Sequence, residues 1–341
     1  MTENSTDVRA DVSVIICAYT EERWPDLVAA IESIERQRQP ARELLLVIDH
    51  NPALLGRVRA AFPTVTSVEN SEPQGLSGAR NSGIAHASGS LIAFLDDDAT
   101  AEPDWLERLC RCCADERVLG AGGTVEPAWL DTQPAWFPRE FHWVVGCTYL
   151  CPPAQPVVVR NPFGGCTCFR REIFEGVGGF RSEIGRTKQQ LLGCEETELC
   201  IRARQHWPEK CFLYEPRARI HHRIPPQRGT WRYFRSRCYG EGLSKARVAR
   251  YVGAKDGLAS ERAYTLRLLP QGVLRGLCDG LLRLDPAGFA RAGAIVGGLF
   301  LTTLGYARGM FSRIQREDSE SEEAVAVPTP LESEAQQKGL G

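Results

Sequence analysis

The sequence predicts an α/β fold: a mostly parallel sheet flanked by helices. Three observations point there. Short apolar runs rich in strand formers alternate with stretches of helical periodicity through the first hundred residues. Such runs suit strands buried on both faces of a parallel sheet. Several of them end in carboxylates, and Leu91-Ile92-Ala93-Phe94-Leu95 runs straight into Asp96-Asp97-Asp98. Open α/β sheets bind ligands beyond the C-terminal ends of their strands. A composition of 43% hydrophobic and 25% charged residues over 341 positions supports a sizeable core and excludes global disorder.

Val12-Ser13-Val14-Ile15-Ile16-Cys17-Ala18 reads as the first buried strand and ends in the turn Tyr19-Thr20-Glu21-Glu22. Pro25 suits a first helical turn, and Leu27, Ala30, Ile31 and Ile34 follow at helical spacing. Leu44-Leu45-Leu46-Val47-Ile48 is the second strand, again ending in a carboxylate, Asp49. Residues 54–61 read as a helix and 65–68 as a short strand, and the chain turns helical again from Ser77. Right-handed crossovers between parallel neighbours bring three polar strand ends to one crevice: Tyr19 with Glu21, Asp49, and Asp96-Asp97-Asp98. Each alone is compatible with a helix cap or a solvated turn; together they point to a site. Adjacent carboxylates favour a counter-ion, and oxygen ligands of this kind suit Mg²⁺ or Mn²⁺.

The order of Val-Ser-Val-Ile-Ile-Cys-Ala-Tyr-Thr-Glu, Val47-Ile48-Asp49, Gly75-Leu76-Ser77-Gly78-Ala79-Arg80-Asn81-Ser82-Gly83 and Leu95-Asp96-Asp97-Asp98 resembles glycosyltransferase family 2 over residues 12–123. The resemblance implies a GT-A type, Rossmann-like fold, an inverting mechanism, a divalent metal and a nucleotide-sugar donor, in the first place a UDP-sugar. It implies that Ala18, Tyr19, Glu21 and Asp49 hold the base and ribose. Gly75, Arg80 and Asn81 would sit beside the nucleotide, as would Asp96 and Asp97, with Asp96 and Asp98 reaching the metal. Thr20 stands where the family more commonly has Asn. A nucleotide diphosphate leaves with growing negative charge, which a metal held at Asp98 neutralises. Arg80 has two readings, a phosphate contact or a packing residue paired with the acidic strand end.

Residues 127–162 are rich in Pro and aromatics, among them Trp129, Trp136, Phe137, Phe141, Trp143 and Tyr149. Such a stretch is either an acceptor wall or a loop packed on the sheet edge. Trp143 of that stretch is expected on the acceptor side, and Asn161-Pro162-Phe163-Gly164-Gly165-Cys166 resembles the family's Gly-containing acceptor-side strand, which implies the same for Gly164 and Gly165. Gly193-Cys194-Glu195-Glu196 opens a helix whose first-turn acids complement its dipole. By resemblance, the pair Glu195-Glu196 stands where the family has a Glu-Asp pair whose second member is the catalytic base. Glu196 is thus the base expected here, with Glu195 beside it. An inverting transfer needs a base opposite the leaving group, unless the acceptor is already an anionic phosphate. Within Ile220-His221-His222-Arg223-Ile224, the resemblance implies one His near the metal. Only one of two strand neighbours can face the site, and His221 is expected there.

Residues 217–250 are crowded with Arg, and 292–307 are uncharged between Arg291 and Arg308. A membrane-spanning helix wants roughly 20 residues. This segment therefore reads as in-plane, re-entrant, or half of a buried helical hairpin. The chain is expected to comprise a disordered 1–10 and a glycosyltransferase domain over 11–225, with nucleotide-sugar and acceptor halves meeting at 123/124. A basic and apolar helical extension over 226–316 and an acidic disordered tail over 317–341 complete it. The expected partners are a nucleotide sugar, a glycan or lipid-linked acceptor, and an anionic membrane surface at the inner face of the cell membrane. A net charge of −2 gives no reason to expect nucleic acid. Thirteen Cys without paired C-x-x-C spacing argue against structural zinc and for a reducing cytoplasm. Two other classes place carboxylates similarly. A nucleotidyltransferase wants a Gly-rich phosphate loop after the first strand, which Ala18-Tyr19-Thr20-Glu21 does not offer. A non-catalytic nucleotide-sugar-binding membrane scaffold need not keep Asp96, Asp98, Glu195 and Glu196 together.

Overall fold

The alternating apolar runs become β1 (Val12–Ala18), β2 (Glu43–Ile48), β3 (Thr66–Glu69) and β4 (Leu91–Asp96), parallel to one another in the spatial order β3-β2-β1-β4. The computed structural model describes residues 11–149, 153–186, 193–257 and 261–325. The expected N-terminal segment 1–10 and residues 326–341 of the expected 317–341 tail lie outside them.

Period-two side-chain alternation sends Val14 and Ile16 into the core on one face of the sheet and Ile15 into the core on the other. On the first face lie α1 (Trp24–Glu35), α2 (Pro52–Ala61) and α4 (Trp105–Cys112), anchored by Leu27, Leu54 and Trp105. On the second lie α3 (Leu76–His86), α5 (Arg171–Val177) and α6 (Glu195–His206), anchored by Ala79, Ile173 and Leu199. Residue pairing aligns Ala18 with Ile48 and Cys17 with Asp96, so the C-terminal ends of β1, β2 and β4 share one edge.

Beyond β4 the sheet becomes mixed. β8 (Cys166–Arg170) enters antiparallel to both β4 and β6 (Val118–Trp129). β9 (Cys211–Ile224) runs parallel to β6, and short β5 (Ala99–Ala101) and β7 (Val157–Val159) pair antiparallel with it. Where Gly123 and Thr124 pass from Glu215 to Arg219, β9 bulges through Pro216, Arg217 and Ala218. A side chain on Gly123 would collide with the Ala218 carbonyl, which is why glycine stands there. β9 runs for 14 residues and carries both His221 and His222.

The aromatic segment is mainly core. Phe137 and Phe141 are buried, both in edge or tilted contact with Phe234. Phe234 belongs to α7 (Trp231–Val252), which α8 (Ala254–Gly257), α9 (Glu261–Ala263), α10 (Leu269–Leu282) and α11 (Pro286–Val325) follow. α11 continues through Val325, into the stretch read as an acidic tail. It packs along α7 and α10. A side chain on Gly242 would meet the Thr302 carbonyl, and one on Gly305 the Tyr239 carbonyl, so glycines let these two backbones touch.

Candidate active site

The first acidic group lies where β2 stops. Asp49 is buried and fully engaged: its Oδ1 accepts from Asn70 Nδ2 at 2.6 Å and its Oδ2 from the Gly75 N–H at 3.0 Å. Its own N–H donates to the Ala18 carbonyl at 2.8 Å, locking the ends of β1 and β2 together. Gly75 precedes α3 with φ at 132°, a conformation that favours glycine. Tyr19 stacks under Arg23, its ring centroid 5.3 Å from the guanidinium carbon. Glu21 is half-exposed, 3.7 Å from Arg57.

The second group forms where β4 ends. β5 pairs Ala99 with His222, which sets His222 beside Asp98. A carboxylate oxygen of Asp96, one of Asp98 and a ring nitrogen of His222 lie within 4.8 Å of one another. His222 Nε2 is 3.0 Å from Asp98 Oδ1. Two carboxylates and an imidazole are a donor set suited to Mn²⁺ or a similar cation. The expectation for His221 is corrected here. His221 points to the opposite side of β9, between Glu102 at 3.0 Å and Glu126 at 3.7 Å. The signal was present in the sequence: Ala218, Ile220 and Ile224 are apolar while Arg217, Arg219 and Arg223 are charged, so even positions face inward.

Three nitrogen-bearing side chains converge on Asp98: His222 at 3.0 Å, Arg228 at 3.1 Å and Arg23 at 3.2 Å. Burial opposes its ionisation, yet His222, Arg228 and Arg23 together hold the carboxyl well below its ordinary range. Asp97 goes the other way. Burial and the adjacent Asp98 charge push it up to about 7, although Arg23 lies 2.9 Å from its Oδ1. Its Oδ2 is buried with no hydrogen-bond partner among the described residues. The adjacent carboxylates are thus set to opposite protonation preferences.

The third group opens α6. Glu195 Oε1 accepts from Arg80 Nη1 at 2.9 Å, and Arg80 also donates to the Gly164 carbonyl at 3.2 Å and lies 3.6 Å from Asp96. Set beside the edge-packed rings of Phe94 and Phe180, Arg80 is a buried tie between β4, α6 and the Gly164 loop. Of its two readings, this geometry is the pairing one. Glu196 makes no ion pair among the described residues. Its carboxylate lies against Gly164, where a side chain would stand 3.3 Å from Oε2. Burial and the Glu195 charge push its pKa up to about 8. A carboxylate that ionises near neutral pH, unencumbered and facing a glycine-walled space, is suited to taking a proton. Gly165 borders Asp96 so closely that a side chain would strike its carboxylate.

Two expected residues are placed differently. Asn81 is committed to backbone, donating to the Phe180 carbonyl and accepting the Phe180 N–H, both at 2.8 Å. Trp143 donates its Nε1 to the Tyr264 hydroxyl at 2.8 Å and is linked to Phe163 through Tyr264 and Tyr149. Sequence reasoning missed Arg23, Arg228 and Arg186. The Arg186 guanidinium feels the charges of Asp96, Glu195 and Asp98. These arginines reach the site from three separate segments, so no spacing announces them.

Comparison with known proteins gives this arrangement a family. Residues 13–178 match the model of "Glycosyl transferase family 2". The chain is 34% identical over 238 residues to "Glucosyl-dolichyl phosphate glucuronosyltransferase" of Haloferax volcanii, covering 69% of this chain and 76% of that protein. It is 25% identical over 282 residues to "Succinoglycan biosynthesis protein ExoM" of Rhizobium meliloti, covering 79% and 82%. Among solved structures, the mannosyltransferase PcManGT of Pyrobaculum calidifontis, in complex with GDP-Man and Mn²⁺, shares the fold with a TM-score of 0.55 and 18% identity, over 87% of each chain. The mixed sheet, its flanking helices and the acidic β4 end are therefore those of a GT-A glycosyltransferase, and the chain belongs to glycosyltransferase family 2.

Proposed function

We propose that this protein is a metal-dependent, inverting glycosyltransferase that moves a sugar from a nucleoside diphosphate sugar to a hydroxyl of a lipid-linked glycan at the cytoplasmic face of a membrane. The observation that carries this reading is Glu196, beside Gly164, without an ion pair among the described residues and poised near pH 8. It stands across the Arg80–Glu195 tie from the Asp96–Asp98–His222 cluster. A hydroxyl acceptor needs such a base; an anionic phosphate does not.

Asp96, Asp98 and His222 would hold a divalent ion. When bound, that ion supplies positive charge to the departing diphosphate. Asp49, Tyr19 and the β1 and β2 ends line the nucleotide side. Arg186 and Arg228 add cationic groups that favour a diphosphate. Glu196 takes the proton of the attacking hydroxyl, while Glu195 is spent on Arg80 and keeps Glu196 apart from the cluster's cations. The named activity of the Haloferax relative, on a glucosyl-dolichyl phosphate, supports a lipid-linked glycan as acceptor. UDP is the nucleotide the motif order favours, and the GDP-mannose of the PcManGT complex marks GDP as the alternative.

The test is a panel of UDP- and GDP-sugars with Mn²⁺ or Mg²⁺, reading released nucleotide with and without chelator. Metal-dependent release from one class identifies the donor. No release from any member, with or without a glycolipid, sinks the reading.

A further inference from the structure

α10 and α11 form a hairpin closed by Arg283, Leu284 and Asp285. At its tip Leu281, Leu282 and Leu284 are 65%, 80% and 83% exposed. Leu284 holds φ at 53°, so a β-unbranched but bulky side chain is kept outward in the left-handed region where leucine is uncommon. Exposed apolar groups continue along both helices: Leu266 and Leu274 on the α10 side, Phe289, Val296, Phe300 and Phe311 on α11. Between the two rows runs an apolar groove of about 310 Å³, lined by Leu269, Val273, Leu277, Val296 and Leu299 among others.

Pro286–Phe311 is long and apolar enough to cross a membrane, with a mean hydropathy of 1.4. The packing ties this helix to the rest of the protein. Its inner face is built into the protein: Ala292, Ala294 and Ile295 are buried, and Gly298 sits against Phe141 and Phe234. Only one face remains for a second apolar medium, and that is the geometry of an in-plane helix. The charge pattern selects the medium. Residues 261–311 carry six arginines against three acidic residues. Asp279 and Asp285 are neutralised by Arg283 and Arg291, and Glu261 by Arg160 and Lys245. Exposed Arg262, Arg267 and Arg308 flank the apolar rows.

The same hairpin abuts the acceptor side. Tyr264, just before α10, lies 5.1 Å from Tyr149, which lies 6.1 Å from Phe163, beside Gly164 and Glu196. We infer that the leucine tip and outer face of the α10–α11 hairpin dock in the plane of an anionic lipid bilayer, presenting the Glu196 side of the site to acceptors anchored there. This rests on the proposed function for the acceptor alone; the docking itself stands on the hairpin.

The experiment is flotation of the full chain with phosphatidylcholine vesicles, with and without phosphatidylglycerol. The chain floats with phosphatidylglycerol present. Leu274→Glu/Leu282→Glu/Phe300→Glu lowers the floated fraction by about tenfold or more, because each charge must leave the apolar layer. Arg262→Gln/Arg267→Gln/Arg308→Gln removes the preference for phosphatidylglycerol. Release of nucleotide from the donor in solution stays as in the parent chain for both variants, which shows that they fold. As a second measure, Leu282→Trp adds emission that dibrominated lipids quench. Unquenched emission, or flotation indifferent to the glutamates, overturns the docking. So does a dimer in solution that the glutamates dissolve, which assigns the face to a second copy. Flotation that holds while no nucleotide sugar is turned over keeps the docking and removes the proposed activity instead.

Discussion

Glu196 and Asp98 show how two carboxyls of one site take opposite settings. For Glu196, burial and Glu195 raise the pKa to about 8, so the proton-accepting form grows in as pH rises. Turnover should therefore climb through pH 7 and level off above about 8. Glu196→Gln should lower kcat by roughly 10²- to 10⁴-fold and abolish that limb, with donor KM unchanged. Unaltered turnover would move the base elsewhere. The sign for stability is opposite. A carboxyl whose folded pKa is raised binds its proton more tightly when folded, so its contribution is present below its unfolded pKa and is lost as pH rises towards 8. Glu196→Gln should thus melt several degrees higher than the parent at pH 9, and little differently at pH 4. Asp98 carries the counter-case. His222→Ala and Asp98→Ala should each weaken Mn²⁺ binding by about tenfold or more in calorimetry, while His221→Ala leaves it alone. Equal losses at both histidines would restore His221 to the site.

At the scale of elements, what could be read depended on whether a signal was local. β1, β2 and β4 were legible because each is a single apolar run with a carboxylate at its end, and their shared edge follows from parallel pairing. β6 was not, nor was the pairing of β8: Cys166–Arg170 pairs between two strands from distant parts of the chain, and nothing near Cys166 states its direction. The length of β9 was hidden by its bulge at Pro216, yet its parity was in plain view and identifies His222. Glu196 was legible as an acid opening a helix, whereas Arg23, just before α1, and Arg228, just after β9, gain their roles only when the chain closes around the end of β4. Gly165 shows an element serving the site directly, since β8 begins against Asp96. Gly165→Ala should displace that carboxylate and cut Mn²⁺-dependent turnover more than about tenfold, with a melting temperature within a few degrees of the parent. Parental turnover in Gly165→Ala would show that the Asp96 position is not critical.

For the whole molecule, one continuous sheet carries the Asp49, Asp96 and Gly164 groups, so on the proposed function the two substrates would meet across β4 and β8 rather than across a flexible joint. Behind that sheet, the glycine contacts between α7 and α11 fix the hairpin to the same body. That attachment changes what concentration means for this enzyme. With the leucine tip docked and the acceptor lipid-linked, as proposed, catalyst and acceptor would share a surface, and encounters would depend on molecules per unit area instead of per unit volume. Adding neutral lipid at constant total acceptor should then slow transfer by surface dilution, while hydrolysis of the soluble donor is unaffected. A rate indifferent to that dilution would mean that the acceptor is met in the bulk phase.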